Sequence, residues 1–124
     1  ASVIKVERPR AGDDTRGWGP PFDQRGDSAY FLSVNRNKLG ISADLDDPGD
    51  ANLLKSLARD ADVVIENFLP GTLERRGLGA EQLRSMAPTL IWCTIVGFGE
   101  EPRRPGYDVL LQAEPHLDHS VTRR

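Results

Sequence analysis

The stretch Glu66-Asn67-Phe68-Leu69-Pro70-Gly71-Thr72-Leu73-Glu74-Arg75-Arg76-Gly77 gathers the residues best suited to chemistry. Asn67 offers a side-chain amide and Phe68 an aromatic face. Arg75 and Arg76 supply fixed positive charge that matches phosphate geometry. Pro70-Gly71 is expected to open a helix, and the free N–H groups of a helix start attract anions. The segment follows the apolar run Val63-Val64-Ile65, at the carboxyl end of an expected strand, where parallel α/β sheets place ligands. These types point to binding of an anionic ligand with an apolar part. An ordinary strand-to-turn connection carrying surface arginines would use the same residues, and both readings stand at this level.

Other candidates carry less. His116 and His119 are spaced to share a helix face, but Pro115 interrupts such a helix and no third ligand accompanies them, so no metal is expected. Cys93 lies within Leu90-Ile91-Trp92-Cys93-Thr94-Ile95-Val96, where a buried thiol is expected to be inert packing. Arg25-Gly26-Asp27 spells an adhesion tripeptide inside a loop-like segment, and is read as coincidence. Gly97-Phe98-Gly99 has two glycines of a dinucleotide fingerprint but lacks the third and a following helix.

The elements that must position these groups read as an α/β succession. Val3 to Glu7 is expected as a strand, and residues 17 to 27 as a loop. Ser28 to Val34 is apolar and ambiguous in type, and Leu39 to Leu45 is compatible with a strand. Asp47-Pro48 forms a helix start, an N-cap acceptor followed by proline at the first helical position. Leu53, Leu54, Leu57, Ala58 and Ala61 then recur at helical spacing. Val63-Val64-Ile65 is expected to be a buried strand. Two short helices are expected over Thr72 to Arg76 and Ala80 to Met86, before the strand at Leu90 to Val96. That order predicts a parallel sheet with right-handed crossovers.

Bulk properties narrow the class. The 124 residues suffice for one domain with a modest core. A net charge of −3 with 38% hydrophobic and 28% charged residues gives no field to recruit nucleic acid or an anionic membrane. No apolar run approaches the about 20 residues of a membrane-spanning helix. A single cysteine fits a reducing cytoplasm. The chain opens at Ala1-Ser2-Val3, without Met, beside a strand-like run, and is expected to be an internal piece of a longer protein.

The pattern Glu-Asn-Phe-x-Pro-Gly-x-x-x-Arg-x-Gly-Leu at Glu66 to Leu78 resembles the central motif of the family III CoA-transferases, the CaiB/BaiF group. Val3 to Pro9 with Gly12 to Trp18, Tyr30-Phe31 with Asn35 to Lys38 and Asp44-Leu45, Thr94 to Gly99, and Arg104 to Asp108 resemble further blocks in family order. The likeness runs to about Ala113. Residues 1–113 are therefore expected to be part of the family's large domain, and 114–124 a divergent, disordered tail.

The resemblance implies a partial Rossmann-like α/β CoA-binding domain with a parallel sheet, incomplete relative to the family, in a protein that forms homodimers. It implies coenzyme A as substrate and no metal, with CoA contacts at Arg8, Asn67, Phe68, Arg75 and Tyr107, and the loop Ala43 to Asp46 near the adenine. Acyl-CoA and a carboxylate acceptor are the implied partners. In the family an aspartate attacks the thioester and carries CoA as an aspartyl thioester before passing it on. That aspartate lies in a Gly-Asp segment downstream of the Gly-Tyr-Asp block. Asp108 belongs to the earlier block and Asp118 has no glycine beside it, so no catalytic residue is assigned and the isolated chain is expected to be inactive. A non-catalytic CoA-binding remnant is an alternative. The related α-methylacyl-CoA racemase branch ranks lower, because it needs a histidine base where Tyr107 stands.

Overall fold

A computed structural model describes residues 1–98, 103, 104 and 106. The chain divides into two compact units, Ala1–Leu54 and Lys55–Arg124. The class is α/β with parallel pairing, as expected, but the described strands form two two-stranded sheets.

In the first unit, β1 (Ile4–Glu7) pairs in parallel with β2 (Leu39–Ser42), from Ile4 opposite Leu39 to Glu7 opposite Ser42. Between them the chain makes a 3-10 turn at Asp14–Gly17 and then α1 (Ala29–Val34). The ambiguous run at Ser28 is resolved by capping. Ser28 Oγ accepts from Phe31 N–H at 3.0 Å and donates to the Thr15 carbonyl at 2.6 Å. A cap oxygen that satisfies a free helical N–H tips a marginal segment into helix. Ser28 is fully buried, with both its hydroxyl roles used.

Along β1 the alternation runs opposite to a simple apolar-in pattern. Ile4 and Val6 are 45% and 43% exposed, whereas Lys5 and Glu7 are half-buried. Lys5 and Glu7 face a charged cluster packed on Phe31. Arg16 donates from Nε and Nη2 to the two Glu7 carboxylate oxygens at 2.9 and 3.0 Å, and from Nη1 to Asp27 at 2.8 Å. Its guanidinium lies 3.9 Å from the Phe31 ring centre, and Lys5 Nζ 4.5 Å. Lys5 also pairs with Asp13. Asp13 caps the 3-10 turn by accepting from Thr15 N–H at 2.8 Å. Such a cluster holds buried charge only because every member is paired.

The helix start at Asp47-Pro48 is as expected. α2 spans Pro48–Arg59, and Asp47 Oδ1 accepts from Asp50 N–H at 2.9 Å. This helix begins in the first unit and ends in the second. In the second unit β3 (Val63–Glu66) pairs in parallel with β4 (Ile91–Thr94), Val63 opposite Ile91 and Ile65 opposite Cys93. The crossover carries a 3-10 turn at Glu74–Arg76 and α3 (Ala80–Met86). The core of this unit is Ala58, Leu73, Leu78, Leu83, Ala87 and Leu90, all buried.

Two expectations are corrected here. β3 is not buried on both faces: Val63 and Ile65 are 46% and 65% exposed, and their cross-strand neighbour Ile91 is 59% exposed. Cys93 lies on the same face and is exposed, not packed. Val63, Ile65, Ile91 and Cys93 thus share an exposed face. Among the described residues no helix is long and apolar enough to cross a membrane.

The charged cluster predicts how stability responds to acid. The Arg16 hydrogen bonds hold the Glu7 carboxyl below its usual value, against the opposing effect of burial. Burial pushes Asp13 upward, but hydrogen bonds from Lys5 and Thr15 outweigh it and bring the carboxyl from 3.8 to about 2. Both values are depressed on folding, so their stabilisation is complete above the unfolded value and is lost as the pH falls through the folded one. Thermal melts followed by circular dichroism should be flat near neutrality and fall between about pH 4 and pH 2. Arg16→Ala should cost about 2 kcal/mol at pH 6 and progressively less in acid, as Glu7 protonates in both proteins. A cost independent of pH would show that the cluster is not what Arg16 stabilises.

Candidate functional site

Two β-strand ends carry the residues singled out in the sequence, one in each unit. In the first, β1 and β2 are parallel neighbours, so Arg8 and the Ala43 to Asp46 loop leave the sheet at the same carboxyl end. Ala43 N–H still donates to the Glu7 carbonyl at 3.0 Å and Ala43 is buried. Beyond it the loop turns sharply, because Asp44 Oδ1 accepts from Asp46 N–H at 3.0 Å while Asp50 accepts from Asp44 N–H at 2.8 Å. Arg8 is exposed. Its Nε donates to the Gly12 carbonyl at 3.0 Å and its Nη2 pairs with Asp14. The intervening turn needs positive φ at Arg10 and Gly12, +62° and +64°.

In the second unit, Asn67 and Phe68 follow β3 at its carboxyl end, and Ile95 to Phe98 follow β4 beside them. Ile95 N–H donates to the Glu66 carbonyl at 2.8 Å, extending the ladder to this edge. The Glu66 carboxylate turns back to accept from Phe68 N–H at 2.8 Å, which fixes the chain as it leaves the strand. Asn67, Phe68 and Arg75 are exposed. Gly71 adopts φ +85°, and a β-carbon there would lie 3.1 Å from Arg75 Nη1. Glycine is therefore favoured by its backbone, and a side chain there would shift the Arg75 guanidinium by a few tenths of an ångström.

The expected helix over Thr72 to Arg76 is instead a single 3-10 turn, Glu74–Arg76. Thr72 N–H is bonded to the Leu69 carbonyl and Arg75 N–H to that of Gly71. Those two donors are used inside the turn, and the element that follows Pro70-Gly71 is one 3-10 turn rather than a helix. Gly77, at φ +68°, stops the turn after one cycle. Charge at this edge comes from the Arg75 side chain instead. Arg76 is directed back, with Nη1 donating to the Thr72 carbonyl at 2.9 Å.

The end of β4 shows an arrangement not anticipated from the sequence. Gly106 packs directly on Gly97, and a β-carbon on Gly106 would overlap the Gly97 backbone. The Arg104 guanidinium lies 3.9 Å from the Phe98 ring centre. Gly97 and Gly106 thus serve close backbone approach, which two glycines at separate positions could have signalled. Tyr107 itself, with His116, His119, Asp108 and Asp118, lies outside the described residues. Among the described residues no group of three His, Cys, Asp or Glu side chains could hold a metal ion.

Comparison with known proteins bears on both edges. The family model described as CoA-transferase family III matches residues 1–119, and the chain belongs to that family. The mouse protein named succinyl-CoA:glutarate CoA-transferase is 49% identical over 122 residues, covering 96% of this chain and 28% of its own length. An acetyl-CoA:oxalate CoA-transferase of Acetobacter aceti is 41% identical over 91% of this chain and 29% of its own. A crystal structure of a CaiB/BaiF family protein from Brucella suis superposes with a TM-score of 0.85 at 48% identity, over 92% of this chain and 32% of that one. The chain thus spans somewhat under a third of the length of these relatives.

The Gly71 geometry separates a backbone effect from a site effect. Gly71→Ala and Gly26→Ala both force alanine into positive φ, and each should cost about 1–2 kcal/mol of stability. Of the two, only Gly71 has the candidate residue Arg75 beside it, since nothing lies within 4 Å of a β-carbon at Gly26. Calorimetric titration with CoA should therefore weaken for Gly71→Ala and stay unchanged for Gly26→Ala. Equal binding by the two variants would remove Gly71 and Arg75 as a unit.

Proposed function

We propose that this chain supplies the CoA-holding part of a CoA-transferase that moves CoA from an acyl-CoA to a carboxylate acceptor. The observation that carries the reading is placement. In a chain that belongs to the family, Arg8 follows β1 and Asn67-Phe68 follows β3, each at the carboxyl end of a parallel pair, where α/β folds bind ligands. Arg8 and Arg75 would meet phosphate groups, Asn67 would hydrogen-bond the ligand, and Phe68, 43% exposed, would offer its ring to an apolar portion. Tyr107 completes the proposed set. CoA acts here as a substrate, held by phosphate charge at one end so that its thioester is delivered in a fixed position.

The names of the relatives support a short dicarboxylate as acceptor. Glutarate, oxalate and malate occur in them, and succinyl-CoA recurs as donor. The nucleophile assigned to the family is an aspartate in a Gly-Asp segment after the Gly-Tyr-Asp block, and Asp108 and Asp118 do not match it. The whole enzyme would work as a homodimer in the cytoplasm. The racemase alternative gains nothing, since position 107 is tyrosine and an imidazole base is missing there.

Two measurements test this reading. Arg75→Ala should lower CoA affinity by about 1–3 kcal/mol, the usual worth of a charge-assisted hydrogen bond. Equal affinity by calorimetry would remove Arg75 from the site. Incubated with labelled succinyl-CoA and glutarate, the 124-residue chain should bind CoA yet exchange no label and form no aspartyl thioester detectable by mass. Exchange that disappears on Asp108→Asn would place the nucleophile inside this chain and overturn the assignment.

A further inference from the structure

Arg8 is not a free cation in this structure. Its Nε and Nη2 face, the side-on fork that a phosphate would use, is already filled by the Gly12 carbonyl at 3.0 Å and by the Asp14 carboxylate. Asp14 opens a 3-10 turn whose N-cap, Asp13, accepts from both Thr15 N–H at 2.8 Å and Thr15 Oγ1 at 2.6 Å. Asp13 is held in turn by Lys5, and its own N–H donates to Glu7 at 3.0 Å. Behind Glu7 stands the two-bond contact to Arg16. The turn that carries Asp14 is therefore anchored by the charged cluster, while the Arg8–Asp14 pair itself is open to water, with side chains 57% and 75% exposed.

We propose that Asp14 is an affinity-setting residue of the CoA site, a resident anion that a CoA phosphate must displace from Arg8. The inference rests on the assignment of Arg8 as a CoA contact. An exposed carboxylate contributes little to orienting an arginine, because water replaces its hydrogen bond at small cost. Its charge acts more strongly. It neutralises the guanidinium in the unliganded chain, an effect that added salt screens. A monoanion would gain nothing over the resident carboxylate, whereas a phosphate carrying more charge gains. The acid thereby selects for phosphate over the free carboxylates that accompany it in the proposed reaction.

The experiment is a double-mutant cycle on the 124-residue chain, read by calorimetric titration with CoA. Asp14→Asn removes the charge and keeps the size, and circular dichroism should confirm an unchanged fold because the turn is capped by Asp13. At low salt Asp14→Asn should bind CoA about fivefold more tightly, the upper range for an exposed ion pair. The gain should disappear in the Arg8→Ala background and shrink at about 0.5 M salt. Equal or weaker binding by Asp14→Asn, with Arg8→Ala still impaired, would overturn the role of Asp14 and leave the CoA site standing. A gain that persists in the Arg8→Ala background would also overturn it. Arg8→Ala with unchanged affinity would remove the contact on which both readings rest.

Discussion

The two-bond contact between Glu7 and Arg16 is the constraint on which the first unit depends. It joins the last residue of β1 to a turn nine residues later, and Arg16 extends the tie to Asp27. The Arg16 carbonyl also accepts at 3.0 Å from the N–H of Ser28, the residue that caps α1. One side chain thus fixes strand end, turn and helix start together. A purely apolar contact could not do this, because dispersion is non-directional and would not choose one register of a glycine-containing loop. The planar guanidinium, with one fork on Glu7, one donor on Asp27 and its face on Phe31, leaves little orientational freedom. Arg8 gains its fixed position at second hand, since the turn that holds it is anchored by the same Glu7 carboxylate.

This arrangement explains why part of the fold was legible in the sequence and part was not. Elements set by local chemistry were readable. Asp47-Pro48 begins α2, and the run from Ala80 to Met86 is α3 with the expected bounds. The parallel class followed from the order of elements. Burial did not follow, because it depends on what packs against a strand rather than on the strand itself. Val63, Ile65 and Ile91 look like a two-sided core and line an exposed face, while Lys5 and Glu7 look like surface and are half-buried. The same gap misassigned Cys93. Over Thr72 to Arg76 the composition permits a helix, but Gly71 and Gly77, both at positive φ, leave room for a single turn only. Read as backbone conformers rather than as spacers, those glycines would have given the shorter element.

The candidate site divides along the same line. Asn67, Phe68 and Arg75 were visible as residue types, and their position after a strand followed from the pattern. What the sequence could not supply was the direction of each charge. Arg75 and Arg76 are adjacent and chemically alike, yet Arg76 returns to a backbone carbonyl while Arg75 lies against Gly71. A difference of one position on a tight turn swings a side chain by about 120°. In this 3-10 turn the two neighbouring arginines leave in different directions, Arg76 back to the Thr72 carbonyl and Arg75 to the exposed side. Had a full α-helix formed here, its first-turn N–H groups would have shared the work of holding an anion. In the single 3-10 turn found here, the positive charge at this edge belongs to the exposed Arg75 guanidinium. Gly71, at φ +85°, sets the turn from which that guanidinium leaves.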